Sequence, residues 1–390
     1  MSVTLNSNSS EATQGCKGLC ANASAACIEK TSRCLNIGLV NNMPDAAMEA
    51  TERQFRALLE GASEGFSIKL SLHSLPGITR SEWATQHVKE FYSSVEELKN
   101  GDLDGLIVTG REPLTPNLAD EPYWKNFTSL VDWASENTHA TVWSCLAAHA
   151  AVLYLDGIER VRNEHKFSGI FDCEKLAEHP LMEGTPEQFN LPHSRWNGLP
   201  ADRLTACGYR VLTQAAADGV HTGGDAGVDT FVKQGKNLSV FFQGHPEYEP
   251  NTLLLEYRRD VGRYLRGESE TYPLMPRGYF GAETAAVLKS IQERATGGRS
   301  EALLAEVQAI LEGATIENTW RQTATCIYRN WLQHISARKK LQLEQVKAAR
   351  EERSVQPVMP LITTVAEAPR PAAFSSGLGP AQPQLIRAIH

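Results

Sequence analysis

The sequence predicts an α/β protein, with a mostly parallel sheet covered by helices on both faces and a helical C-terminal extension. Three observations carry this expectation. Short apolar runs alternate with amphipathic helical stretches from about residue 35 to residue 280. Several of those runs are continuously apolar, as strands buried on both faces are. They also stop at glycine or polar residues, and the carboxyl ends of the strands form the working edge of such a sheet.

The elements follow in order. Residues 1–34, rich in Ser, Asn and Ala without periodicity, are expected to be a disordered leader. "CLNIGLVN" (34–41) reads as a buried strand, and "AAMEATERQFRALLEG" (46–61) as an amphipathic helix closed by Gly61. "FSIKLSLHSLPG" (66–77) alternates as a strand does and ends at Pro-Gly. "SVEELKNGDLDGLIVTG" (94–110) gives a helix, a turn and the strand "GLIVTG". "PYWKNFTSLVDWASEN" (122–137) is a helix, and "ATVWSC" (140–145) is the next strand. "GYRVLTQ" (208–214), "VDTFVKQ" (228–234) and "NLSVFFQGHPEY" (237–248) read as strands, and "LLLEYRRDVGRYLRG" (253–267) as a helix with Gly267 past its end. These make one α/β domain over 35–280. The region 281–353 is helical: two short helices around "TGG", then a long one over 319–353 whose second half is charged. Residues 354–390, with five prolines in their first 27 positions, are expected to be a disordered tail.

Composition bounds the function. A chain of 390 residues with 42% hydrophobic and 22% charged residues can bury a full core. Lys+Arg 38 against Asp+Glu 46 gives a net charge of −8, which argues against nucleic acid or an anionic membrane as partner. No apolar run approaches the roughly 20 residues that cross a bilayer, and the first residues lack the apolar core of a secretory signal. A cytoplasmic location is expected. Of the eight cysteines, Cys16, Cys20, Cys27 and Cys34 crowd the leader with three, six and six residues between them. That spacing lacks the C-x2-C knuckle of a zinc site, so we read them as reduced thiols and expect no metal.

The chemistry starts at "TVWSCLAAHAAVLYLDG" (141–157), where Cys145 stands at the joint between a strand and an alanine-rich helix. A cysteine is as a rule a small buried hydrophobe. At a helix N-terminus, however, partial positive charge and unpaired N–H donors favour the thiolate. The backbone N–H of Leu146 is then placed to stabilise an oxyanion, with the backbone of Arg111, past the strand end at Gly110, in the same role. In "QGHPEY" (243–248), His245 and Glu247 lie two apart at another strand end, so a carboxylate can orient an imidazole. His149 competes as base, but its position one helical turn after Cys145 reads as structural.

A cysteine at such a joint with a later His-Pro-Glu resembles the class I glutamine amidotransferase-like fold. More narrowly, the chain resembles the homoserine O-succinyltransferase family of acyl-CoA enzymes in methionine biosynthesis. The matching pieces are "NNMPDAAMEATERQF" (41–55), "DGLIVTG" (104–110), "EPYW" (121–124), "SCLAAHAA" (144–151), "KFSGIF" (166–171), "PHSRW" (192–196), "QGHPEY", "EYRRDV" (256–261) and "TW…NWL" (319–332), in family order. The resemblance implies a ping-pong acyl transfer. Cys145 would take the acyl group from acyl-CoA as a thioester, and His245, held by Glu247, would deprotonate the homoserine hydroxyl. It also implies Lys166 near the acyl group, Ser194 at a position affecting substrate choice, and Arg259 holding the amino acid's carboxylate with its planar fork. No cofactor is implied beyond acyl-CoA as co-substrate; a homodimer is one assembly the resemblance allows, and the sequence does not decide the oligomeric state.

The chain also departs from the family. The usual N-terminal strand and helix have no evident counterpart in residues 1–33, the stretch 279–320 is long, and the tail past 340 is extra. "TGREP" replaces the usual "TGAP", and the donor-selecting position, Gly for succinyl-CoA and Glu for acetyl-CoA, falls on Leu114 or Thr115. The loop therefore does not read the donor; succinyl follows from the family as a whole, with acetyl-CoA, or serine as acceptor, as alternatives. A glutamine amidotransferase usually has glycine flanking the nucleophilic segment, where this chain has Trp143 and Ala147. A non-catalytic binding protein should have lost one of Cys145, His245 and Glu247.

Overall fold

The computed structural model describes residues 3–5, 24–216 and 227–355. The first half of the chain alternates strand and helix: β1 (Val3–Leu5), α1 (Ala25–Ser32), β2 (Cys34–Val40), α2 (Asp45–Ala62), β3 (Ser67–His73), α3 (Glu82–Phe91), α4 (Val95–Asn100), β4 (Gly105–Thr109), α5 (Trp124–Asn137), β5 (Ala140–Ser144) and α6 (Leu146–Asp156). A β-rich stretch follows: β6 (Val161–Lys175), β7 (Gln188–Gly198), α7 (Ala201–Ala206), β8 (Arg210–Val211), β9 (Thr213–Ala215), β10 (Gly227–Val228), β11 (Thr230–Gln234) and β12 (Leu238–Phe242). Helices close the described chain: α8 (Thr252–Leu265), α9 (Ala282–Gly297), α10 (Glu301–Glu312) and α11 (Arg321–Val355). Among the described residues no helix is long and apolar enough to cross a membrane.

The main sheet has the order β1-β3-β2-β4-β5-β12-β11-β8. It is parallel from β1 to β12, with β11 and β8 antiparallel at one edge. Its central strands β2, β4, β5 and β12 are buried on both faces, which is why they read as unbroken apolar runs, whereas β3, nearer the edge, alternates. Ile107, Val142 and Val240 face the core shared with α2, α8 and α11, while Leu106, Val108, Trp143 and Phe241 face the core under α5 and α6. Helix periodicity explains the covering layers: α5 buries Phe127, Leu130, Val131 and Ala134, one face at spacings of three and four. Helix α11 is not an appendage. Ile327, Trp331 and Ile335 are buried in the same core as α2, and only its charged second half is exposed.

Several expectations are corrected. Two pieces of the expected leader are ordered. Val3–Leu5 pairs in parallel with β3, and α1, capped by Ser24, buries Ile28 and joins α11 through Glu29 and Lys340 at 2.7 Å. A strand and a helix therefore do stand in residues 1–33. Both depend on partners far along the chain, so local periodicity does not reveal them. The rest of the leader, with Cys16 and Cys20, and the tail past 355 lie outside the described residues; Cys27 and Cys34 are free thiols. Helix α3 and a second, antiparallel sheet, β10-β9-β6-β7, were not expected. The stretches expected as single strands at 208–214 and 228–234 are each divided: β8 and β11 belong to the main sheet, β9 and β10 to the second, with the crossings at Leu212 and Asp229. The two sheets are thereby tied together beside the end of β12.

Candidate active site

Cys145 occupies the joint between β5 and α6 with φ 51° and ψ −111°, and among the described residues it is the only non-glycine with positive φ. Such a backbone is strained and persists only where its surroundings impose it. Here the Cys145 N–H donates to Phe242 O at 2.7 Å, its carbonyl accepts from Ala148 N at 3.0 Å, and α6 rests on the end of β4. A Cβ on Gly110 would lie 2.5 Å from Leu146 Cβ and 2.8 Å from Ala147 N, so only glycine permits that approach. The same contact lays the Gly110 backbone, with Arg111 next in the chain, against Leu146, whose N–H, at the first turn of a helix, has no intrahelical acceptor.

β12 pairs with β5 in the register Phe242↔Ser144, so the turn after β12 meets the joint after β5. That turn is held at each residue. Gln243 N donates to Asp229 O (2.9 Å), Gly244 N to the Asp229 carboxylate (3.1 Å) and His245 N to Pro192 O (2.8 Å). A Cβ on Gly244 would sit 2.7 Å from Asp229 Oδ1. His245 Nδ1 lies 2.8 Å from Glu247 Oε1, and the Cys145 sulfur lies near enough to act on the charge of the ring. Burial opposes charge on the imidazole, but the Cys145 sulfur and the Glu247 carboxylate outweigh it and hold its pKa well above the usual histidine range. The imidazolium form of His245 is what this geometry favours, beside the partly exposed Cys145. His149 points away from it, with Nε2 3.0 Å from Gln243 Oε1, and burial pushes its pKa down to about 3. It is a neutral side chain joining α6 to the turn.

The other expected residues gather around two carboxylates that sequence inspection did not single out, Glu256 and Asp260 on α8. Lys166 Nζ lies 3.2 Å from Glu256 and 3.0 Å from Asp260. The Ser194 hydroxyl donates to Glu256 Oε2, and Tyr248 OH donates to Glu256 Oε1 at 2.7 Å. Burial would raise the Glu256 pKa, but Lys166, Ser194 and Tyr248 bring it below its usual value. Arg259 Nε donates to Asp260 Oδ1 at 2.9 Å and remains 47% exposed, free to receive a second anion. The available signal was the i, i+4 spacing of the two carboxylates, which places them on one helix face. In the loop after β4, Leu114 N and Thr115 N donate to Glu121 Oε1 at 2.7 and 2.9 Å, and the Leu114 side chain is exposed. The buried Glu121 fixes this loop, and Glu112 approaches Arg263 of α8 at 3.7 Å.

Cys173, His193 and Asp229 form a buried group with ligand-type atoms within 4.8 Å of one another. Arg195 Nε donates to His193 Nδ1 at 3.4 Å, so the proton of the neutral ring sits on Nε2, facing Asp229 Oδ1 at 3.4 Å. Burial also pushes the Cys173 thiol up. A protonated thiol, a ring nitrogen carrying its hydrogen and a guanidinium already beside the carboxylate do not suit a metal.

A cysteine on a strained strand–helix joint, with an imidazole–carboxylate pair delivered by the adjacent strand end, is an arrangement in an α/β fold that can support a cysteine nucleophile. The family model described as homoserine O-succinyltransferase matches residues 11–341, reaching back into the expected leader. A homoserine O-succinyltransferase of Rhodopseudomonas palustris is 46% identical over 302 residues, covering 77% of this chain and 88% of that protein. Those of Bradyrhizobium japonicum and Methylorubrum extorquens are each 44% identical, covering 77% and 80% of this chain and 90% of each relative. The chain belongs to the homoserine O-succinyltransferase family. Among solved structures, a glutamine amidotransferase of Methylobacillus flagellatus aligns with a TM-score of 0.43 and 14% identity, covering 77% of this chain and 95% of that one.

Proposed function

We propose that this protein moves a succinyl group from succinyl-CoA to the hydroxyl of L-homoserine in two half-reactions through a thioester on Cys145, as a cytoplasmic enzyme of methionine biosynthesis. The convergence of Cys145 and the hydrogen-bonded pair His245–Glu247 at the strained joint is the observation that carries the reading. In the first half-reaction the thiolate attacks the thioester carbonyl, the oxyanion is met by the N–H groups of Leu146 and Arg111, and His245 gives its proton to the departing CoA sulfur. In the second, His245 takes the proton of the acceptor hydroxyl, the oxygen attacks the enzyme thioester, and Cys145 leaves as thiolate. Glu247 keeps the imidazole in the tautomer that both steps need. Arg259 suits the acceptor carboxylate, and Glu256 and Asp260, on the same helix, suit its ammonium. The chemistry needs no cofactor beyond the acyl-CoA co-substrate.

The test is a matrix of donors (succinyl-CoA, acetyl-CoA) against acceptors (homoserine, serine), read as free CoA. Wild-type protein with succinyl-CoA alone should gain one succinyl mass on the peptide bearing Cys145, and Cys145→Ala should gain none and turn over nothing. Acyl mass on another residue, or activity in Cys145→Ala, would overturn the thioester; preference for acetyl-CoA or serine would correct the substrates.

A further inference from the structure

The His245 ring is held at Nδ1 by Glu247 Oε1 at 2.8 Å and lies beside the Cys145 sulfur. One face of the ring is occupied. Tyr248 stacks on it with centroids 4.1 Å apart and planes 16° from parallel. The same Tyr248 donates its hydroxyl to Glu256 Oε1 at 2.7 Å, on the carboxylate that also receives Ser194 and Lys166. Its carbonyl accepts from Trp320 Nε1 at 2.9 Å, which fixes the residue from the helical C-terminal region. Both Tyr248 and Trp320 are buried.

We propose that Tyr248 is a positioning residue serving both half-reactions: its ring braces the face of the His245 imidazole, and its hydroxyl holds Glu256 in place for the acceptor. An electron-rich ring face attracts an imidazolium as well as restraining it, so the stack stabilises the charged pair with Cys145. The other groups facing His245 are Cys145 from the β5–α6 joint, Glu247 from its own turn, His193 from β7 and Glu256 from α8. His193 is held neutral by burial, so the charges set against the imidazolium are the thiolate and the two carboxylates. The acceptor half of this inference rests on the acyl-transfer reading; the brace does not.

The experiment compares Tyr248→Phe, which keeps the ring and loses the hydroxyl, with Tyr248→Leu, which loses both. Iodoacetamide labelling of the Cys145 peptide is followed against pH in resting enzyme, and then the CoA burst with succinyl-CoA alone and the homoserine dependence of turnover. Tyr248→Phe should keep the labelling profile and the burst and raise the homoserine KM about tenfold, for a lost hydrogen bond to a charged group. In Tyr248→Leu the imidazolium is weakened, so the thiol ionises at higher pH. The labelling midpoint should rise by about half a unit, and the burst should slow. An unmoved midpoint in Tyr248→Leu, a moved one in Tyr248→Phe, or an unchanged homoserine KM in Tyr248→Phe would overturn the assignment. Should Tyr248→Leu lose its cooperative melt, the two Tyr248→Phe readouts decide. A wild type that labels as expected yet gives no CoA burst would overturn the acyl-transfer reading and the acceptor role while leaving the brace upheld.

Discussion

Gly110→Ala probes how closely the nucleophile's position is specified. The added methyl would lie 2.5 Å from Leu146 Cβ, 2.8 Å from Ala147 N and 2.9 Å from Leu146 Cα. Two of these neighbours are backbone atoms of the first turn of α6, which cannot rotate aside. Ordinary carbon contacts begin near 3.5 Å, so the end of β4 and the start of α6 must separate by about 1 Å. Overpacking of this kind costs about 1–3 kcal/mol of stability, and a displacement of about 1 Å at a reacting group costs up to about 10²-fold in rate. Because Cys145 N is tied to Phe242 O while α6 moves, the shift falls on the sulfur and on the Leu146 donor. The assay is the CoA burst with succinyl-CoA alone, with thermal unfolding measured in parallel. We expect the burst rate to fall about 10- to 100-fold while the protein still melts cooperatively at a lower temperature. Gly297→Ala, whose methyl would meet nothing within 4 Å, serves as control and should change neither. A folded Gly110→Ala enzyme with an undiminished burst would refute the claim that this contact sets the nucleophile.

Three further outcomes are expected. His245→Ala should cost far more than Glu247→Ala in kcat/KM. The ring moves the proton, whereas the carboxylate only positions it, so Glu247→Ala, which removes the orienting carboxylate without offering Nδ1 an amide donor, is the comparison: its loss should stay well below that of His245→Ala; equal losses would mean the roles are misassigned. Arg259→Lys keeps the charge but loses the fork, so the donor burst should be normal and the homoserine KM raised about tenfold; a lost burst with unchanged homoserine KM would place Arg259 on the donor side. His149 has a folded pKa of about 3, below its unfolded value, so the unfolded state binds the extra proton and stability should fall as pH drops from about 6.5 toward 3; His149→Gln should flatten that slope in melts between pH 7 and pH 4, and an equal slope would show that the acid sensitivity lies elsewhere.

The sequence by itself determined the local elements and the two ends of the site. Runs such as "GLIVTG" and "ATVWSC" must be strands buried on both faces, because nothing in them is polar enough to face water, and the spacing of Phe127, Leu130, Val131 and Ala134 can cover a sheet only as a helix. It also marked Cys145 at a helix start and paired His245 with Glu247, because both features are local. What it could not contain is which strand lies beside which. The parallel pairing of β5 with β12 brings Cys145 to His245, residues separated by about 100 positions, and that register is a property of the assembled sheet. The second sheet was hidden for a related reason: the first third of β6, from Val161 to His165, is largely exposed and shows no apolar alternation, so its strand character comes from pairing with β7. Glu256, Asp260 and Glu121 read in sequence as ordinary surface charges. Folding buries Glu121, half-buries Glu256 and Asp260, and sets cations, hydroxyls or loop N–H groups against all three, and only a buried or half-buried carboxylate with fixed partners can hold a neighbouring residue in place. The strand Val3–Leu5 and helix α1 belong to the same class, since their partners, β3 and α11, are long distances away along the chain and only the tertiary structure supplies them.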